Sequence, residues 1–171
     1  VHKSESDGIL TTEIPIEIGG AKLRGKIDRV EVDSANNQFQ IVDYKLGGKK
    51  ITKDELYNGL ALQLPVYMLA AKELLSKHFE KNFEPAGMFI YSLKYQSGDF
   101  GKKEISLTRK KTDDAIDLNN NLITVTTDFI KKYIHSISEG KFNLTQLEDR
   151  EKEICGFCDF KSICRINELS N

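Results

Sequence analysis

Three short segments near the start of the chain alternate between apolar and polar residues. They cover residues 11–18, 23–32 and 39–46, and each is typical of a strand with one buried face. Gly19-Gly20 and the sequence DSANN at 33–37 supply turn residues between them. The pattern therefore predicts an antiparallel meander of three strands.

A helical period follows these strands. Leucine or methionine recurs at every fourth position between 56 and 68, which predicts one long helix over residues 53–77 with this stripe in the core. The stripe consists of Leu56, Leu60, Leu64 and Met68. Pro65 lies inside the same segment, and a kink is expected there because proline removes one backbone hydrogen bond.

The second half of the chain predicts two further strands and another helix. The strands are expected at 86–94 and 102–107, and the helix from an N-cap at Thr112 to about Ser138. The apolar stripe of this helix is Ala115, Leu118, Leu122, Val125, Phe129 and Tyr133. The order of elements predicts a single α/β domain over 1–171, of which 141–171 form a tail with little regular pattern.

Composition restricts the classes of function. Hydrophobic residues make up 39% and charged residues 30%, as in ordinary globular proteins. The formal net charge of −1 excludes DNA binding by a general basic excess, so any nucleic-acid site must be a local patch. No apolar run approaches the ~20 residues of a membrane span, and the first eight residues are too polar for a signal peptide. We therefore expect a cytoplasmic protein.

Two aspartates and a lysine lie in neighbouring predicted strands. Asp28 belongs to LRGKIDRVEV, and Asp43 and Lys45 lie two residues apart in FQIVDYKLGG. Side chains alternate along a strand, so Asp43 and Lys45 share one face, and a hairpin near Asn36 brings Asp28 beside them. Converging carboxylates suit a hard cation such as Mg²⁺ or Mn²⁺. We therefore expect Asp28 and Asp43 to bind a divalent metal, with Lys45 acting on the water or phosphate of a hydrolysis.

An ordinary ion pair between Asp43 and Lys45 on a solvated face of the sheet is the alternative. Phe39 and Ile41 lie on the same face, which therefore begins apolar and then becomes charged. Such a change along a buried face is more typical of a site than of a solvated surface. Spacing alone leaves both interpretations open.

Several stretches of sequence together resemble one known family. They are GKIDRV, IVDYK and GLALQLPVY, followed by CGFCDFKSIC close to the end of the chain. In combination they resemble the PD-(D/E)XK nuclease superfamily in its RecB-like branch. Within that branch they look most like the C-terminal nuclease domains of the AddB family, the B subunits of ATP-dependent helicase/deoxyribonucleases. The resemblance covers about residues 13–165.

The resemblance implies a restriction-endonuclease-like core, in which a mixed β-sheet is flanked by helices. It implies that Asp28 is the first metal-binding aspartate and that Asp43 and Lys45 form the D-x-K signature. The backbone carbonyl of Tyr44 is then a further Mg²⁺ ligand. Gln63 and Tyr67 match a Gln-x3-Tyr motif that supports the site and contacts DNA. A purely core role is the alternative for Tyr67.

The implied function is that of a Mg²⁺-dependent deoxyribonuclease, an exonuclease acting on single-stranded DNA ends. It would work within a helicase–nuclease complex for double-strand break repair by recombination, as the heterodimer partner of the A-type helicase–nuclease chain. Two other functions remain open. One is a catalytically inactive module that binds DNA or holds a complex together, and the other is an exonuclease of the CRISPR-adaptation type with the same motifs.

The resemblance also implies a metal ligand upstream of the first strand. In the family, a histidine or glutamate from a preceding helix completes the metal site. We expect that residue outside this chain, which would then be a piece of a larger subunit. His2 lies too close to the first predicted strand to take this role.

All three cysteines, Cys155, Cys158 and Cys164, lie in the tail as C-x2-C-x5-C. An odd number bunched at one end is a poor disulfide framework, and in a reducing compartment more often serves a metal. The resemblance implies that they join a distant upstream cysteine around a structural [4Fe–4S] cluster in the intact protein, and we expect no cluster on this chain alone. Three free thiols, or zinc with His135 as fourth ligand, are the alternatives.

Overall fold

The computed structural model describes residues 16–46, 51–93, 101–105, 115–141, 155–160 and 163. The chain divides into two compact units, 1–134 and 135–171. The single-domain organisation therefore stays a prediction. The expectations for residues 11–15, for Gly47-Gly48, for 106–107 and for the Thr112 cap lie outside the described residues.

A small hairpin begins the described part. Strand β1, Ile16–Ile18, pairs antiparallel with β2, Ala21–Leu23. Gly19 and Gly20 turn the chain with φ values of 59° and 83°. Glycine adopts these left-handed angles without a steric penalty, as the predicted turn requires.

A second hairpin carries the residues of the predicted site. Strand β3, Arg29–Asp33, pairs antiparallel with β4, Gln38–Lys45. The carboxylate of Asp33 accepts hydrogen bonds from the backbone N–H groups of Ala35 and Asn36 at 3.0 and 3.2 Å. This side chain closes the predicted turn, because it replaces backbone acceptors within the loop.

The prediction of one strand over residues 23–32 was wrong, and so was the three-stranded meander. Residues 24–28 leave the ladder, and β1–β2 and β3–β4 belong to separate sheets. Asp28 gives the physical reason. Its side-chain oxygen Oδ2 accepts the hydrogen bond of the Tyr44 N–H at 3.0 Å, so a carboxylate takes the place of a backbone partner at the end of β3.

The long helix predicted over residues 53–77 is two helices. The short helix α1, Lys53–Tyr57, begins with a capping box between Thr52 and Glu55. Helix α2 runs over Gln63–Phe79. Pro65 occupies the first turn of α2, where its missing N–H breaks no helical hydrogen bond, so the predicted kink was wrong. Leu60 lies between the helices and is 44% exposed, which removes it from the predicted core stripe.

A four-stranded mixed sheet forms the centre of the first unit, in the order β3-β4-β5-β6. Strand β5, Glu84–Ser92, runs parallel to β4, and β6, Gly101–Glu104, is antiparallel to β5. One face of the sheet packs against the helices. The core on that face contains Phe39, Ile41, Leu56, Leu64, Met68, Ala71, Leu75, Phe83, Met88, Ile90, Leu122 and Ile123. The fold is the predicted α/β class, a mixed sheet flanked by helices.

Helix α3, Ala115–Ser138, ends before Gly140, which has a φ of 69°. The predicted end is confirmed, but the predicted buried face is rotated. Ala115 is exposed, whereas Asn119 and Thr126 are buried at 4% and 2% exposure. The amide of Asn119 donates to the backbone carbonyl of Pro85 at 2.9 Å, so a specific hydrogen bond brings a polar residue into the core.

None of the helices in the described part of the chain has the length and apolar character of a membrane span.

Candidate active site

Asp28 and Asp43 lie one residue beyond the last pair of the β3–β4 ladder, which is Arg29 with Val42. Asp28 has left the strand, but its Oδ2 accepts a hydrogen bond from the Tyr44 N–H, next to Asp43 in β4. The hairpin therefore brings the Asp28 carboxylate to the segment that carries Asp43 and Lys45. The joint role of the two aspartates as metal ligands stays a prediction.

The backbone of Tyr44 lies on the edge where Asp28 sits. The Tyr44 N–H donates to Asp28 Oδ2 at 3.0 Å. In a strand, the N–H and C=O of one residue point to the same side. The Tyr44 carbonyl therefore faces the Asp28 side as well, past the last paired residue of β3, where no described residue pairs with it in the ladder. Its role as a metal ligand stays a prediction.

Asp43 is a buried carboxylate, with 2% of its surface exposed. Its Oδ2 lies 2.8 Å from Lys45 Nζ, an ion pair in which the side chain of Lys45 is 39% exposed. Oδ2 is buried, and the Lys45 ammonium is the partner that the described residues offer it. The ion pair of the alternative interpretation is present, but the solvated face is wrong for Asp43.

Gln63, the first residue of α2, connects the members of the site. Its Oε1 accepts from Lys45 Nζ at 2.9 Å, and its Nε2 lies 3.4 Å from Asp43 Oδ1 and 3.1 Å from the Tyr67 hydroxyl. An ammonium can only donate and a carboxylate can only accept, so these neighbours fix the orientation of the amide. Tyr67 also packs against the core, so it lies between the core and the Gln63 amide, and its contact with DNA stays a prediction.

The oxygen atoms gathered at this edge fit a hard divalent cation. They come from the two aspartates and the Tyr44 carbonyl, and Asp43 Oδ2 is a buried oxygen whose described partner is the Lys45 ammonium. Mg²⁺ takes one or two carboxylates and keeps several waters, so such a set does not have to be complete. Among the described residues, no group of three or more His, Cys, Asp or Glu side chains converges as a ready metal site.

Arg29 lies next to the site, and no sequence pattern had singled it out. Its guanidinium donates to the Tyr44 hydroxyl at 3.2 Å and pairs with Glu31 at 2.7 Å. The hydrogen bond to Tyr44, and then the Glu31 carboxylate, raise the pKa of Arg29 above its ordinary value. The alternation of side chains along β3 and β4 could have predicted the contact between Arg29 and Tyr44. It assigns both residues to the same face of the sheet, opposite Asp43.

Two of the three cysteines fall within described residues of the second unit. Cys155 opens a 3₁₀ turn that ends at Phe157, and the Cys158 N–H donates to the Cys155 carbonyl at 3.3 Å. Both thiols are free, Cys155 partly buried and Cys158 exposed. Cys164 lies outside the described residues. His135, the alternative zinc ligand, lies 3.5 Å from Glu139 one helical turn away.

Comparison with known proteins finds relatives that match most of this chain. A model of the PD-(D/E)XK nuclease superfamily matches residues 2–165. The B subunit of the ATP-dependent helicase/deoxyribonuclease of Lachnoclostridium phytofermentans is 28% identical over 83% of this chain. The proteins of the same name from Carboxydothermus hydrogenoformans and Bacillus anthracis are each 26% identical, over 89% and 84% of the chain. The chain spans only 17% to 18% of the length of these three relatives.

Proposed function

The chain belongs to the PD-(D/E)XK nuclease superfamily, and from this membership and the geometry of the site we propose that it is a metal-dependent deoxyribonuclease. Its centre is the group of Asp28, Asp43, Lys45 and the Tyr44 carbonyl. The observation that carries the proposal is the hydrogen bond from the Tyr44 N–H to Asp28 Oδ2 at 3.0 Å, which brings the Asp28 carboxylate to the segment where Asp43 pairs with Lys45 at 2.8 Å.

Asp28, Asp43 and the Tyr44 carbonyl are the residues that would hold Mg²⁺ or Mn²⁺. When bound there, the ion supplies polarisation of a phosphate oxygen and acidifies a water. Asp43 is buried on one side by the core, so its carboxylate cannot swing away into solvent. Asp28 is fixed by the Tyr44 N–H. These two contacts would hold the proposed oxygen ligands in place for an ion.

Lys45 is the residue that would act on the reacting groups. Its side chain leaves the end of β4 and is 39% exposed, so Lys45 lies at the surface, where a phosphate can approach. Gln63 holds the ammonium from the other side at 2.9 Å. In that position the Lys45 ammonium can orient the attacking water and stabilise the charge that develops on the phosphate.

The relatives extend the proposal to a biological setting. Their names describe the B subunit of an ATP-dependent helicase/deoxyribonuclease, so we assign this chain the nuclease step of such a complex, acting in DNA repair by recombination. The substrate would be single-stranded DNA ends, cut as an exonuclease, and the partner would be the A-type helicase–nuclease chain. Since bacterial DNA lies in the cytoplasm, that is the proposed location.

Metal binding tests the centre without activity. We expect Mn²⁺ to bind and Asp43→Asn to weaken binding by more than about 10-fold, because even loss of an outer partner of a ligand costs about 10- to 100-fold. Calorimetric titration gives the affinity. Asp33→Asn is the matched control, since its carboxylate closes the β3–β4 turn instead. Equal affinities of the parent and Asp43→Asn would contradict the assignment of Asp43 as a ligand.

The cysteines form the second part of the proposal. Cys155, Cys158 and Cys164 would bind three corners of a [4Fe–4S] cluster in the intact protein, with a cysteine outside this chain as the fourth ligand. Cys155 and Cys158 have free thiols and lie at the two ends of a tight turn, which supports their assignment as ligands of one cluster. The role would be structural, because phosphodiester hydrolysis transfers no electron.

Iron analysis tests the cluster. We expect the intact protein to be brown, and Cys158→Ser to lose the iron and the colour. Proteolysis between Lys141 and Arg165 should become faster in the variant, because metal binding in small sites contributes folding free energy. This chain alone should be colourless. Full iron content in Cys158→Ser would contradict the ligand assignment.

A further inference from the structure

The turn between α1 and α2 folds back on α1 before it delivers Gln63 to the site. The N–H groups of Leu60 and Ala61 both donate to the Glu55 carbonyl, at 2.8 and 3.1 Å. The Gly59 N–H donates to the Leu56 carbonyl at 3.2 Å. These bonds shape the turn, but they connect it only to its own short helix. Its position relative to the sheet needs other contacts.

Two aromatic side chains of α3 provide such contacts at Gly59. The Tyr133 hydroxyl donates to the Gly59 carbonyl at 3.2 Å. A Cβ on Gly59 would lie 2.5 Å from Cγ of Phe129 and 2.6 Å from its Cδ1, so the Phe129 ring lies directly against the glycine. Phe129 and Tyr133 are one helical turn apart, with ring centroids at 6.0 Å. Together they hold the turn by a hydrogen bond and by a close apolar contact.

Only three residues separate Gly59 from Gln63. A displacement of Gly59 therefore moves the start of α2, and with it the amide that contacts Lys45 and Asp43. A small displacement of Gln63 would break its contact with Asp43, because the 3.4 Å distance from Gln63 Nε2 to Asp43 Oδ1 is already at the upper limit of a hydrogen bond.

We propose that Tyr133 and Phe129 are positioning residues for the active site, which act through the Gly59 turn on Gln63 and so on Lys45. This inference rests on the proposed nuclease function. Neither residue touches the predicted reacting groups. Both belong to α3, and without their contacts to Gly59 they would be regarded only as packing residues.

The first test is Tyr133→Phe in the intact protein, assayed with single-stranded DNA and Mn²⁺. Only the hydroxyl that reaches Gly59 is lost. We expect kcat to fall by about 10-fold with KM unchanged, since small misplacements of a positioning group cost up to about 100-fold. Thr124→Val is the matched control, because the Thr124 hydroxyl donates to the Asn120 carbonyl of the same helix. It should retain the parental kcat.

The second test separates positioning from loss of stability. In a Gln63→Ala background, Tyr133→Phe should lower kcat no further, because residues that act through one group are not additive. The side-chain amide resonances of Gln63 should shift in Tyr133→Phe and stay in place in Thr124→Val. An unchanged kcat with unmoved Gln63 resonances would overturn the inference and leave the nuclease function intact. Additive losses in the double variant would overturn it as well.

The two proposals fail in different ways. If the parent does not cut DNA with Mn²⁺, the nuclease function fails, and with it the kinetic role of Tyr133. The Gln63 resonances still report whether α3 positions the amide. If the parent cuts DNA and Lys45→Ala does not, the function stands, and the Tyr133→Phe results decide the inference alone.

Discussion

Lys45→Ala is expected to remove nuclease activity and to leave DNA binding nearly unchanged. Within the proposed helicase–nuclease complex, unwinding of DNA should also continue. The reason is that the Lys45 ammonium lies beside the carboxylates that would hold the metal, in contact with Asp43 at 2.8 Å and with Gln63 at 2.9 Å. A lysine in this place acts on the reacting water and phosphate, and such groups typically contribute about 10²–10⁴-fold to the rate.

The fold should survive this substitution. Removal of Lys45 leaves the buried Asp43 carboxylate without its counter-ion, which is costly in general. Here Lys45 is 39% exposed and Gln63 still lies within reach of Asp43 Oδ1, so the loss is smaller than for a fully buried pair. Under the proposed function, Mn²⁺ bound at the site would supply a second counter-charge. A melting curve with Mn²⁺ verifies that the variant is folded at the assay temperature.

The measurement is the initial rate of cleavage of end-labelled single-stranded DNA, with binding measured separately in Ca²⁺. Lys77→Ala is the matched control, because it removes the same charge from the far end of α2. It should cut at the parental rate. A Lys45→Ala variant that also cuts at that rate would refute the catalytic role and favour a module that only binds DNA. Cleavage in the absence of any helicase would instead support the stand-alone exonuclease.

The central pair of strands could be predicted from the sequence because its information is local. Alternation assigns Asp43 and Lys45 to one face, and the turn at 33–37 is short enough to fix a register that ends at Arg29 with Val42, next to Asp28 and Asp43. The side chain of Asp33 makes that turn definite, since it binds two backbone N–H groups within three residues. Where a few neighbouring residues determine the geometry, the sequence is sufficient.

The helix over residues 53–77 was mispredicted because a regular apolar period continued across a break. Gly59 has a φ of 71°, which ends α1, and Pro65 then lies within the first turn of α2. Both residues have an ordinary use at helix ends, glycine after an end and proline near a start. The four-residue spacing of leucines outweighed these signals. Leu60 matches the four-residue spacing by coincidence, and it lies exposed in the turn between the two helices.

The buried face of α3 could not be predicted for a different reason. Asn119 is buried because Pro85, far away in sequence, offers its carbonyl to the Asn119 amide. The ion pair of Lys72 with Glu84, together with Asn120, adds a polar contact beside it. Hydrophobic periodicity treats such residues as solvent-facing. Only the tertiary arrangement shows which polar side chains have partners inside.

Gly59→Ala is expected to cause the largest loss of stability among single substitutions at the glycines described. Two costs combine at this position. A non-glycine residue at a φ of 71° carries a left-handed strain of about 1–2 kcal/mol. The added Cβ would also lie 2.5 Å from the Phe129 ring, and overpacking of a buried contact costs about 1–3 kcal/mol. At about 2–4 °C per kcal/mol for a chain of this size, Tm should fall by roughly 10 °C.

Gly20→Ala separates the two costs. Gly20 has a φ of 83°, but a Cβ there meets no described atom within 4 Å, so only the strain of about 1–2 kcal/mol applies. Calorimetric melting of both variants gives the difference, which measures the clash with Phe129. Phe129→Leu should lower the cost of Gly59→Ala when the two are combined, because the smaller side chain can yield. Equal Tm values for Gly59→Ala and Gly20→Ala would mean that the Phe129 ring moves aside without cost. Its close contact would then contribute nothing to holding the turn, and Tyr133 would be left to hold Gly59 alone.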